Sequence, residues 1–89
     1  MAWAIEYDKA AEKEIAKLDR QIAQRIIQFM GSRVGKLENP RSIGQALTGS
    51  TLGEYWKYRV GDYRIIAEIQ DSRLVVLVVR VGNRRAVYR

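Results

Sequence analysis

Eighty-nine residues, 47% hydrophobic and 29% charged, suffice to pack one core, so residues 1–89 read as one domain without an enclosed cofactor pocket. The sequence has neither cysteine nor histidine, which excludes disulfides, thiolate or imidazole metal sites, Ser–His–Asp triads and histidine-pair ribonuclease chemistry. A formal charge of +6 suits an anionic partner, either nucleic acid or an acidic protein.

The first ten residues, MAWAIEYDKA, carry acids early and hold no long apolar run. They predict neither a signal peptide nor a membrane span, so the cytoplasm is the expected location and no membrane partner is expected. Ala2 to Tyr7 alternates as a strand, with Trp3, Ile5 and Tyr7 on one side. Asp8 is a good N-cap for a helix bearing Ala11, Ile15 and Leu18, and Asp19 for a second with Ile22, Ile26, Phe29 and Met30 on its inner stripe. The short break between them predicts an antiparallel αα-hairpin. Gly31 costs the second helix about 1 kcal/mol relative to alanine, and Asn39-Pro40 is expected to end it.

Residues 41–53, with Gly44, Gly49 and Gly53, read as a connecting loop that Gln45-Ala46-Leu47 anchors to the core. Glu54 to Val60 then alternates, Gly61-Asp62 makes a tight turn, and Tyr63 to Gln70 returns antiparallel. Asp71-Ser72 turns again into Leu74–Val81, which is apolar on both faces and so reads as a central strand. There is no internal repeat, low-complexity tract or linker. The predicted fold is α+β: an N-terminal strand and an αα-hairpin packed on one face of a mainly antiparallel, roughly four-stranded sheet.

Charge is unevenly placed along this order. Residues 1–50 hold eight Lys/Arg and six Asp/Glu, net +2, whereas residues 51–89 hold eight and four, net +4. Seven of the eight later cations are arginine, whose planar fork grips phosphate in two places. Strand side chains alternate between faces. If Trp56, Tyr58 and Val60 pack under the helices, Lys57 and Arg59 face away from them. In the next strand Tyr63, Ile65, Ala67 and Ile69 make the core set, so Arg64 also faces away, with Ile66 and Glu68. Arg84 and Arg85 follow Gly82-Asn83, and Arg84 and Tyr88 join the cluster if the last residues cross back over that face. The plain alternative is a solvated sheet face. Like charges on adjacent strands repel, however, and an anionic ligand would offset that cost. Trp3, Trp56 and Tyr58 read as core rather than as base-stacking platforms.

Three ordered blocks carry a resemblance. Leu47-Thr48-Gly49, then Tyr55-Trp56-Lys57-Tyr58-Arg59-Val60-Gly61-Asp62-Tyr63-Arg64-Ile65-Ile66, then Val79-Arg80-Val81-Gly82-Asn83-Arg84-Arg85-Ala86-Val87-Tyr88-Arg89 resemble the RelE family of type II toxin–antitoxin toxins. Ile5-Glu6-Tyr7 leading into a charged helix is similar too, so the likeness spans essentially the whole chain. It implies a small endoribonuclease, an mRNA interferase that cuts messenger RNA within the ribosomal A site. It further implies inhibition by a cognate antitoxin, with operator DNA met only through the antitoxin complex. By position it assigns Lys57, Arg59, Arg64, Arg84 and Tyr88 to the catalytic face, with Arg80, Arg85 and Arg89 as further RNA-binding cations. Two positions depart from the family: Tyr55 stands where well-studied members have lysine, and Asn83 where many have histidine.

Chemistry without histidine or metal is available to such a set. The ribose 2′-hydroxyl attacks the adjacent phosphorus, cations stabilise the developing charge, and the 5′-oxygen leaves with a proton. A tyrosine or lysine serves as base only if neighbouring positive charge lowers its ordinary pKa of about 10. Tyr88 and Lys57 are the two candidates, and Arg84 either donates the proton or holds the leaving group. Two rivals stand beside this reading: a ParE-like toxin that inhibits DNA gyrase without nuclease activity, and a non-catalytic RNA-binding or degenerate member.

Overall fold

Two aspartates begin the helices. Asp8 Oδ1 accepts from the Ala11 amide at 2.8 Å, and Asp19 Oδ2 from the Gln21 amide at 3.2 Å, each satisfying an N–H that the first helical turn leaves without a partner. A computed structural model of the chain, which describes residues 2–47 and 55–85, places α1 over Lys9–Ala16 and α2 over Arg20–Ser32. Among these residues no helix is long and apolar enough to cross a membrane.

Helix α2 stops well before Asn39-Pro40, where the sequence suggested its end. Past Ser32 the chain tightens into a 3₁₀ turn, Val34–Lys36, and the carbonyl of Gly35 accepts from the Trp3 amide at 2.7 Å. A Cβ on Gly35 would lie 3.1 Å from the Trp3 carbonyl oxygen. The backbone thus meets the N-terminal strand at van der Waals limits, and a longer helix would carry the chain past that contact. A second 3₁₀ turn, Pro40–Ile43, follows.

The strands are β1 (Ala4–Tyr7), β2 (Gln45–Ala46), β3 (Tyr55–Val60), β4 (Tyr63–Gln70) and β5 (Val75–Asn83), in the spatial order β1-β5-β4-β3-β2. Three of the four pairings are antiparallel, and β1 runs parallel to β5. The α+β class holds, with five strands rather than four. The extra one is β2, in the stretch read from sequence as loop. Two residues are too few to show alternation, and Gln-Ala has little strand preference of its own. Its pairing with β3, Gln45 opposite Lys57 and Ala46 opposite Trp56, is a tertiary contact.

Helix α1 lies on β5 and β1, and α2 on β1 and β3. Between helices and sheet, Ala11, Ile26, Met30, Val34, Tyr58, Ile65, Ala67, Val76, Val78 and Val81 form the buried core. Strand parity assigned Tyr58, Ile65 and Ala67 to this layer, and they lie there. Strand β5 starts one residue later than expected, because Leu74 takes a left-handed conformation (φ 53°) after the 3₁₀ turn Asp71–Arg73.

Strand β5 also breaks its own alternation. Ala67 pairs with Val78, but Ile66 pairs with Arg80, so Val79 is the extra residue of a β-bulge. Uninterrupted alternation from Val76 and Val78 would point Arg80 into the core. The bulge turns Arg80 to the opposite face while Val81, opposite Ile65, stays inside.

Candidate active site

The register of β3 and β4 assembles a cationic face away from the helices. Arg59 lies directly opposite Arg64, and Lys57 opposite Ile66. Cross-strand partners share a face about 5 Å apart, and Lys57 and Arg59 sit about 7 Å apart along one strand. Lys57, Arg59 and Arg64 line one pocket of about 490 Å³ together with Ile43, Gln45 and Tyr58. Among the described residues no carboxylate borders it.

The arginines are held differently. Arg64 donates through Nη1 to the carbonyls of Gly61 and Tyr63, both at 3.1 Å, so its guanidinium is tied to the β3–β4 turn. Gly61 supplies the left-handed residue (φ 58°) that this turn needs. Arg59 is exposed and makes no hydrogen bond or ion pair within the described residues. Like charges on directly opposed residues of a ladder repel, and a bound anion would offset that cost. Ile66, only 7% exposed, gives this face an apolar floor.

Arg80 stands opposite Ile66, but its Nε lies 3.3 Å from Glu14 Oε2 of α1. Strand β1 pairs with β5 only as far as Val78, which leaves the next stretch of the β5 edge open. Glu14 fills it, its Oε1 accepting from the Val81 amide at 2.9 Å. Arg80 is therefore partly neutralised at the rim. Arg84 follows β5 and is exposed; its amide donates to the Asp62 carbonyl at 2.9 Å, which fixes it at the same end of the sheet as Arg59 and Arg64. Arg85 is exposed beside it, its amide bonded to Asn83 Oδ1 at 3.1 Å. Neither lines the pocket. Tyr88 and Arg89 lie outside the described residues. Sequence reasoning missed Ile43, at the end of the second 3₁₀ turn, and Gln45, in the unrecognised strand β2; the Gly44 between them was the available signal of a close approach.

Tyr58 borders the pocket but is unsuited to act as a base. It is buried, its hydroxyl donates to the Pro40 carbonyl at 2.6 Å, and burial pushes its pKa up to about 12, against a smaller lowering by Arg41. The folded state thus holds the tyrosine proton more tightly than the unfolded chain, whose tyrosine titrates at about 10. That stabilisation is complete below pH 10 and is lost as pH rises toward 12. The melting-temperature gap between the wild type and Tyr58→Phe should accordingly narrow from pH 9.5 to pH 12. A constant gap across that range would contradict the assignment. Arg41 is also bonded in two places to Asp71, at 2.8 and 3.0 Å, which holds that carboxyl below its usual range.

Residues 5–88 match the family model of the ParE toxin of the type II toxin–antitoxin system parDE. The mRNA interferase toxin RelE of Escherichia coli K12 is 32% identical over 84 residues, covering 94% of this chain and 85% of that protein. Among solved structures, the toxin–antitoxin complex RelBE2 of Mycobacterium tuberculosis superposes with a TM-score of 0.83 at 23% identity, covering 94% of this chain and 93% of that one. The intact E. coli RelBE toxin–antitoxin complex gives 0.74 at 25% identity, covering 92% and 96%.

Proposed function

The chain belongs to the RelE/ParE family of type II toxin–antitoxin toxins, and from that premise we propose that it is an endoribonuclease that cuts messenger RNA. The observation that carries this reading is the pocket itself: Lys57, Arg59 and Arg64 all line one cavity, as recognition of a phosphodiester requires. The relative named mRNA interferase supports it. On this reading Arg59 and Arg64 hold the non-bridging oxygens of the scissile phosphate. Lys57 or Tyr88 takes the proton from the 2′-hydroxyl. The resulting alkoxide bonds to phosphorus as the bond to the 5′-oxygen breaks, and Arg84 protonates or steadies that oxygen. The products are a 2′,3′-cyclic phosphate and a 5′-hydroxyl, with no metal or cofactor taking part. Arg80, Arg85 and Arg89 add phosphate contacts along the strand.

Residues 1–89 act here as one toxin domain in the cytoplasm, restrained by a cognate antitoxin and reaching operator DNA only through that complex. The M. tuberculosis and E. coli structures compared above are toxin–antitoxin complexes, which supports the antitoxin partner. Free tyrosine, lysine and arginine side chains ionise well above neutrality. Orienting the substrate is worth about 7–11 kcal/mol, and a ribosome that presents messenger RNA in its A site would supply it. Purified protein should therefore cut ribosome-bound messenger RNA at least a hundredfold faster than the same RNA free in solution, measured by multiple-turnover cleavage. Equal rates would remove ribosome dependence from the reading. The ParE description of the matching family model favours the gyrase-inhibiting alternative. Loss of DNA supercoiling with intact transcripts on induction would establish that instead.

A further inference from the structure

We infer that Gln45, with Ile43 beside it, forms a nucleobase subsite that reads the edge of an adenine next to the phosphate held by Lys57, Arg59 and Arg64. The inference rests on the ribonuclease reading above and adds what that site recognises.

The pocket is lined by side chains of two chemical kinds. Lys57, Arg59 and Arg64 are cations, which attract any phosphate and carry no sequence information. Ile43 and Gln45 are neutral. Gln45 lies directly opposite Lys57 in the β2–β3 ladder, so both side chains leave the sheet on the same face. It is exposed, and its amide makes no side-chain hydrogen bond within the described residues. A glutamine amide offers a donor and an acceptor side by side, which matches N7 and the 6-amino group of adenine. Ile43, with 37% of its surface exposed, supplies an apolar wall for the face of a base.

The segment that carries these residues is anchored, as a recognition element must be. The Tyr58 hydroxyl holds Pro40, Arg41 grips Asp71, and the Gly44 amide closes the turn on the Arg41 carbonyl at 3.2 Å. A Cβ at Gly44 would lie 3.0 Å from the Tyr58 ring, so glycine lets the segment approach closely enough for β2 to pair. An edge glutamine with only a solubilising role would need none of this.

The test uses purified protein and short 2′-O-methyl RNAs, which lack the nucleophile and so report binding alone. The wild type should bind oligoadenylate about tenfold more tightly than oligocytidylate in competition, the scale of a two-point base contact. Gln45→Leu, similar in size but unable to hydrogen-bond, should bind both alike, and Gln45→Asn should retain part of the preference. Mapping of transcript 5′ ends after induction should show adenine enriched at one fixed position beside the cut, and that enrichment lost in Gln45→Leu. A wild type that binds both oligomers equally overturns the subsite, as does a Gln45→Leu protein that keeps the full preference. Adenine preference in a wild type that cuts no transcript overturns the ribonuclease reading while leaving the base contact standing.

Discussion

Arg64→Ala is expected to lower messenger RNA cleavage by about 10²–10³, the usual loss when a preorganised donor to developing negative charge is removed. The side chain is suited to that role because its guanidinium is already tied to the Gly61 and Tyr63 carbonyls, so it needs no reorganisation when charge develops. Those bonds are partly exposed, and losing them should cost no more than about 1 kcal/mol of stability. The folded protein therefore survives the substitution, and its melting temperature should fall by no more than about 8 °C. Arg64→Lys keeps the charge without the fork and should recover only part of the rate. The measurement is cleavage of a defined transcript by the purified variants, beside their thermal melts. An Arg64→Ala protein that melts normally and cuts at the wild-type rate would dismiss the proposed charge-stabilising role.

Tyr58 is where the largest loss of stability is expected. Tyr58→Ala should cost about 3–5 kcal/mol, as for other large aromatic truncations in a core. A domain of this size has roughly 4–13 kcal/mol in all. Tyr58→Phe isolates the hydroxyl: it leaves the Pro40 carbonyl without its 2.6 Å partner and should cost about 1–3 kcal/mol. Urea denaturation of the two variants separates the terms. Similar midpoints for Phe and the wild type would mean that water replaces the hydroxyl at Pro40. Because the ring also supports Gly44 and hence β2, the Phe variant tests indirectly how firmly Gln45 is held.

Much of this molecule is legible in its sequence because several features are local. Asp8 and Asp19 cap helices through contacts two or three residues away. Lys57, Arg59 and Arg64 share a face because alternation is a property of each strand, and a tight turn at Gly61-Asp62 sets the β3–β4 register. The same parity put Tyr58 in the core, where it lies. What local pattern does not carry is illegible for a reason. Strand β2 exists only because β3 offers it an edge, and the early end of α2 depends on Gly35 meeting Trp3.

The chain order of its residues thus accounts for the helix starts, the hairpin of β3 and β4, and the cationic face that hairpin bears. Folding in three dimensions settled the rest. A single extra residue at Val79 turns Arg80 away from the core, and Glu14, distant in sequence, then claims it at an open strand edge. Gln45 reaches the pocket by the same kind of long-range pairing. Each of these depends on which segments meet, and periodicity within one segment contains no information about its neighbour.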